Sequence, residues 1–279
     1  GDINDPEINN PIWESASFSN IIYQYPISAN GLTPGKKYFW KIRVNPDTNP
    51  GPWSNIFSFT VNDITLSSPT NNEIINTLFP TFTISSPTNI SEYQLLISDD
   101  NDPEVNNYNI LSENLGFFPY DFSSNNSIML KPGETYYWKV QTLDDNGVLT
   151  ELINENMDVS SFTIKPIELS FPDNGSYNIS LSPLFSWNGP VGINSYIIEF
   201  TTEDDMDFNN ILYDANINNS FFLSSNISNS LPFENGTTYL WRVKSINNNG
   251  EESRPSEYFS FSTLLNNSDL NTLSTESTN

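Results

Sequence analysis

The chain has 279 residues, 36% hydrophobic and 14% aromatic, which is enough apolar mass for packed cores and argues against global disorder. Ten Lys and Arg against 34 Asp and Glu leave a formal charge of −24, so nucleic acid and anionic lipid, which need clustered cations, are poor partners. Cysteine and histidine are both absent, which removes disulfides, thiol nucleophiles, zinc centres and every His-based catalytic arrangement.

Abundant Pro, Ser, Thr and Asn predict short strands and many turns, and no window reads as a long amphipathic helix. No apolar run approaches the roughly 18 residues of a membrane-crossing helix, so no membrane insertion is expected. In chain order, Gly1–Asn10 (GDINDPEINN) is an acidic turn and Ile12–Glu14 a short strand. Leu32–Val44 contains LTPGKKYFWKI, and Gly51-Pro52-Trp53-Ser54 leads into a strand at Asn55–Val61 (NIFSFTV). Strands follow at Ile64–Pro69, Pro80–Ile84 and Glu92–Ser98, and then SDDNDPEVNN (98–107), which aligns with residues 1–10. LKPGETYYWKV (130–140), a longer acidic loop at about Asp144–Asp158 and a strand at Ser160–Ile164 complete that stretch. Beyond it come seven period-two strands, Ile167–Pro172, Pro183–Trp187, Ser195–Thr202, Ile211–Asp214, Phe221–Leu223, Thr238–Lys244 and Glu257–Thr263.

The string Tyr-x-Trp-x-(Ile/Val) thus occurs three times, with Tyr38, Tyr136 and Tyr239 spaced by 98 and 103 residues. A period of about a hundred residues is too long for a solenoid and suits a small all-β domain in tandem. The predicted fold class is all-β, with seven-stranded immunoglobulin-like β-sandwiches at 63–165 and 166–264. Residues 1–62 are the C-terminal part of a further copy, and 265–279 are a Ser/Thr/Asn-rich tail or linker. The first copy lacks three strands, so the burial it forgoes exceeds the stability of an ordinary domain and 1–62 is not expected to fold alone. Two explanations stand: the sequence is a piece of a longer one, or a strand from another chain completes the copy. The tail Leu264–Asn279 is too polar to be a convincing donor. A first residue of Gly and the lack of a signal peptide suggest a processed product or a fragment.

These features together resemble the fibronectin type III domain, in the version common in bacterial secreted and surface proteins. The resemblance rests on the Leu-x-Pro-Gly-x-x-Tyr-x-Trp-x-Val block, on the openings at Leu66–Asn72 and Leu169–Gly175, and on Tyr-x-x-x-x-(Ser/Thr)-x-(Asp/Glu) at Tyr93 and Tyr196. Gly51-Pro52-Trp53-Ser54 completes the set, and the match covers nearly all of 1–264. It implies that Tyr38, Tyr136 and Tyr239 are the family's corner tyrosines. Copy three departs there, with Phe-Glu-Asn-Gly where the others have Pro-Gly, which predicts a longer turn in an unchanged fold. No Arg-Gly-Asp tripeptide occurs.

The resemblance implies non-catalytic extracellular modules that space, present or adhere within a larger secreted or surface protein, as monomeric units with a protein or glycan partner. Rival readings are an accessory, carbohydrate-binding region of a secreted glycoside hydrolase or protease, and a strand-exchanging filament subunit. No catalytic, cofactor-binding or metal-ligating residue is assigned, and no cofactor is expected. Trp40, Trp138 and Trp241 hold one strand position and read as core, as does Trp187; Trp53 enters a last strand and Trp13 sits at the repeat position of Tyr213. The acidic turns Asp5–Ile8, Asp102–Val105 and Asp205–Phe208 read as backbone caps, with the fourth, apolar residue plugging the sandwich edge. Ser98–Asp102 and Glu203–Asp207 are oxygen-rich enough for weak calcium binding but lack the fixed spacing of a dedicated loop. The eight Asn-x-Ser/Thr triplets (Asn89, Asn125, Asn174, Asn178, Asn218, Asn226, Asn235, Asn266) match chance for this composition. Neither Gly-x-Ser-x-Gly nor Ser-x-x-Lys nor a phosphate-binding glycine loop appears.

Overall fold

The computed structural model describes residues 1–2, 4–20, 22–26, 32, 34–44, 49–86, 90, 92–99, 109–122, 129–143, 159–224, 233–247 and 249–265. Among them there are strands and turns but no α-helix. The acidic copy at Asp102–Val105, the loop Asp144–Asp158 and the tail from Asn266 lie outside the described residues.

Among the described residues of 1–62 two strands form, β1 (Lys37–Trp40) and β2 (Phe57–Thr60), paired antiparallel with Tyr38 opposite Phe59. Ile12–Glu14, expected as a strand, forms none. In the third copy its counterpart pairs with Tyr196–Phe200 of the central strand, and of that strand this copy holds only Gly1 and Asp2, the counterparts of Thr201 and Thr202.

Residues 63–165 hold β3 (Thr65–Ser68), β4 (Glu73–Ile75), β5 (Thr81–Ser85), β6 (Glu92–Ser98), β7 (Leu111–Leu115), β8 (Tyr120–Asp121), β9 (Thr135–Leu143) and β10 (Ser160–Ile164). They form a three-stranded sheet, β3-β5-β8, and a five-stranded sheet, β4-β10-β9-β6-β7. Alternation along the strands sets the inner face: Phe82 on β5 and Trp138 on β9 are fully buried, with ring centroids 5.0 Å apart.

Residues 166–264 repeat the plan with β11 (Glu168–Phe171), β12 (Ser176–Ile179), β13 (Leu184–Asn188), β14 (Ser195–Thr202), β15 (Tyr213–Ile217), β16 (Phe221–Leu223), β17 (Thr238–Ile246) and β18 (Phe259–Thr263). The sheets are β11-β13-β16 and β12-β18-β17-β14-β15. Phe185 from the smaller sheet meets Trp241 at 5.0 Å and Phe200 at 4.8 Å from the larger, and Ile198, Val243 and Phe261 are fully buried around them.

The seven-stranded plan holds with the first strand in two pieces. It pairs antiparallel in one sheet (β11 with β13), meets Pro172, and resumes parallel to the last strand in the other (β12 with β18). Proline has no N–H to continue the first ladder, so the chain is free to change sheets there. β3 and β4 do the same around Pro69.

By contact density the chain falls into two compact units, 1–71 with 81–120 and 136–161, and 72–80 with 121–135 and 162–279. The division runs through 63–165, so that β4, most of β10 and residues 121–135 group with the third copy.

Candidate interaction site

The corner tyrosine of copy three is 2% exposed, and the Glu234 N–H donates to its hydroxyl at 2.9 Å. The turn before it keeps the length of the others: Gly35, Gly133 and Gly236 each lie three residues before the tyrosine and have φ of 73°, 79° and 67°. Each donates its N–H to the residue after the last strand or at its end: Val61 at 3.0 Å, Ile164 at 2.9 Å and Leu264 at 2.9 Å. The expected longer turn is therefore absent. Phe233 takes the place of Leu32 and Leu130, and its ring is buried beside Tyr239 at 4.8 Å.

The two described acidic turns, at Asp5 and Asp205, are backbone caps. Asp205 Oδ1 accepts the Asn209 N–H at 3.0 Å, and Oδ2 accepts the Asn210 N–H at 2.6 Å and the Thr201 hydroxyl at 3.0 Å. Asp5 accepts from Asn9 and Asn10 at 2.9 and 2.7 Å in the same way. Backbone donation, from Asn210 first, holds the Asp205 carboxyl below its ordinary range, and donation from Asn9 and Asn10 does so for Asp5. The fourth residue takes a left-handed φ in both, 56° at Ile8 and 57° at Phe208. Phe208 is 6% exposed and lies under the Arg242 guanidinium, 4.0 Å from ring to cation. No group of three metal-ligating side chains exists among the described residues.

On the outer face of β14 and β17 the buried Glu199 binds Arg242 Nε and Lys244 Nζ, each at 2.6 Å, and Lys244 also reaches Glu252 at 3.0 Å. Burial opposes the charge on Lys244, but hydrogen bonds to Glu199 and Glu252 outweigh it and push its pKa up. Sequence reading missed this network because its members lie on different strands. In copy two Leu96 stands where Glu199 stands, opposite Lys139.

A serine clasp was missed as well. Ser256 donates its N–H to the Val243 carbonyl at 2.8 Å, and its Oγ accepts the Val243 N–H at 3.1 Å. Ser54 does the same with Ile42 at 2.8 and 3.1 Å. The signal was present: each serine lies three residues before a Phe-Ser-Phe strand.

The tryptophans divide. Trp138, Trp187 and Trp241 are at most 2% exposed. Trp40, expected in the core, is 44% exposed and stacks on the still more open Phe57, at 5.1 Å. The whole of β2 is exposed, whereas its counterparts Phe162 and Phe261 are fully buried. Trp53, also 44% exposed, lies under Arg43 at 4.4 Å and Lys41 at 5.2 Å. Trp13 packs between Tyr23 and Tyr25, both at 5.4 Å. The first copy therefore presents aromatic rings and two cations to solvent.

No family model matches the chain, and no curated protein does. Among solved structures, the FN1-FN3 domains of chicken CNTN1 share 12% identity, covering 83% of this chain and 77% of that one, with a TM-score of 0.26. The fibronectin(III)-like modules of Clostridium thermocellum CbhA share 11%, covering 72% and 94%, with a TM-score of 0.23. Superpositions that loose add nothing to the strand order, which carries the assignment by itself. With the first strand shared between a three-stranded and a five-stranded sheet, the two complete repeats are seven-stranded, fibronectin type III-like β-sandwiches.

Proposed function

We propose that the chain is a non-catalytic run of fibronectin type III-like modules, 63–165 and 166–264 after the partial copy 1–62, serving as a spacer and interaction region of a larger secreted or cell-surface protein. The supporting observation is the connection between the two complete modules. β10 ends at Ile164 and β11 begins at Glu168, so three residues join them. Lys165 donates its N–H to the Ile75 carbonyl at 2.8 Å and pairs with Glu168 at 2.9 Å, and Ile167 is 4% exposed. A joint this short and this well tethered suits a chain that sets distance.

The test is protease shaving of intact source cells, followed by mass spectrometry of the released peptides and of the lysate. Release of peptides from 63–264 supports the reading; their confinement to the lysate overturns it. Trp53, open and flanked by cations, favours a second reading, a glycan-binding accessory region of a secreted hydrolase. A glycan array probed with the full chain and with its Trp53→Ala variant decides that reading.

A further inference from the structure

The outer face of the sheet β11-β13-β16 carries an apolar strip that the fold does not require. Phe171, Ser186 and Phe221 stand opposite one another across the three strands, and Leu184 stands opposite Leu223. Paired residues share a face, and the inner face belongs to the buried Phe185, Trp187 and Phe222. Phe171, Phe221 and Leu184 are 45%, 50% and 42% exposed. A shift of register between Leu169 and Phe171 is what brings Phe171 opposite Ser186. The second module makes the same shift between Leu66 and Ser68, yet its residues at these positions are polar. Ser68 pairs with Thr83 as Phe171 does with Ser186. Thr81 and Asp121 replace Leu184 and Leu223, because the Phe122 N–H bonds to the Pro80 carbonyl as Ser224 does to Pro183. At the margin of the strip Asn188 donates a side-chain N–H to Ser170 Oγ at 2.9 Å and stands opposite Glu168, whose carboxylate pairs with Lys165 at 2.9 Å. The residues of the strip and of its margin all belong to one compact unit.

We propose that this strip binds an extended, uncharged β-1,4-linked polysaccharide, which lies across the strands with a sugar ring on each phenyl ring. Phe171 and Phe221 are two strand spacings apart, about 10 Å, close to the length of two sugar residues in such a chain. The small Ser186 between them leaves room for a flat ribbon. Each sugar face offers C–H groups to an aromatic ring, and its edge offers hydroxyls to the Ser186 hydroxyl, the Asn188 amide and the Glu168 carboxylate. Size and charge disfavour the other occupants. Two strand spacings by four residues make about 10 Å by 14 Å, on the order of 150 Å², far below the roughly 800 Å² that a partner protein or a second copy needs. Glu168 already has its cation, and the formal charge of −24 repels an acidic polymer. Resting on the interaction-region reading, this assignment adds the class of ligand.

The experiment measures depletion of the full chain by microcrystalline cellulose and by chitin, and calorimetric titration with cellohexaose and chitohexaose. Saturable binding to at least one of the two polymers is expected. Phe171→Ala with Phe221→Ala should weaken it by about tenfold or more, whereas Phe171→Tyr with Phe221→Tyr should keep it, since the stacking faces remain. Trp53→Ala, in the first copy, should leave it unchanged. Absence of binding to both polymers overturns the proposal and returns the strip to a protein partner. So does binding that the alanine pair leaves intact, or that Trp53→Ala abolishes. Should the alanine pair fail to fold, Ser186→Arg fills the space between the rings from a surface position, and unchanged binding then overturns the proposal. Concentration-dependent dimers in sedimentation that the alanine pair abolishes would assign the strip to self-association instead. Surface shaving reports where the chain resides whether or not it holds a glycan, so failure here and failure of the interaction-region reading are separately visible.

Discussion

Replacing Glu199 by Leu copies into the third module what the second has at that position, and the geometry fixes what should follow. Glu199 is 7% exposed and binds Arg242 and Lys244 at 2.6 Å each. A hydrogen bond to a charged group contributes about 1.5–3 kcal/mol, which would make the loss large if both cations were sealed. They are not: their side chains are 19% and 16% exposed, Lys244 keeps Glu252, and Arg242 keeps the Phe208 ring. Removing one member of a sealed pair costs about 3–5 kcal/mol; partial access to water and the remaining partners reduce this to about 2–3 kcal/mol. Urea unfolding of the full chain, followed by tryptophan fluorescence with Trp187 and Trp241 as reporters of this core, measures the cost. Replacing Glu199, Arg242 and Lys244 together by Leu, Met and Met is expected to recover most of the loss, because no uncompensated cation remains. A Glu199→Leu chain within about 0.5 kcal/mol of the original would refute the argument, since the network would then add nothing net. The pH sense is also fixed. The Lys244 pKa is raised in the folded state, so its contribution is complete below the unfolded value of about 10.4 and is lost as pH climbs through the folded one.

Tyr239→Phe deletes the acceptor of the Glu234 N–H and is expected to cost about 1–2 kcal/mol by the same unfolding assay; a neutral outcome would remove the corner from the list of stabilising contacts. Asp205→Asn weakens the turn at neutral pH, and the difference from the unsubstituted chain should shrink below about pH 4, because a carboxyl held low stabilises only above its unfolded value and the benefit fades as pH falls through the folded one. A difference that is constant from neutral pH to about pH 2 would contradict that account. Acrylamide should quench the chain's tryptophan emission in two classes, and Trp40→Phe with Trp53→Phe should delete most of the accessible class while leaving Trp138, Trp187 and Trp241 shielded.

The sequence revealed the strands that build the core because their alternation is dense. Ser195–Thr202, Phe221–Leu223, Glu92–Ser98 and Ser160–Ile164 have the same bounds in the sequence reading and in the structure. Three- and four-residue strands such as Glu73–Ile75 and Ser176–Ile179 escaped it, since they are too short for a period and their parallel pairing with the last strand is non-local. The strand expected at Ile211–Asp214 begins at Tyr213, because the Asp205 cap and the Leu212 N–H bond to Phe200 hold the chain in the turn up to that point. Nor does the pattern of residues within one strand announce the Glu199 network, whose partners meet only once β14 and β17 are in register. The backbone bonds that join Leu78 and Asn76 to Val191 lie further still beyond reach, because no side-chain pattern encodes them.

The first copy separates two kinds of information that the complete copies merge. Its left-handed Gly35, its Ser54 clasp and its Asp5 cap have the hydrogen bonds of their counterparts, each made within a turn or between two neighbouring strands. Even the central ladder begins correctly: Asp2 pairs with Tyr38 and Gly1 bonds to Phe39, as Thr202 and Thr201 pair with Tyr239 and Leu240. Burial does not follow. Trp241 is covered because Phe185 and the strand bearing Phe200 stand over it, and among the described residues the first copy forms only β1 and β2. Local geometry is thus specified by local sequence and persists without a core, while the core needs side chains far away in the chain. The same Tyr-x-Trp motif therefore makes an interior in the second and third copies and an exposed aromatic surface in the first, and what decides between them is the strands that pack over it, not the motif.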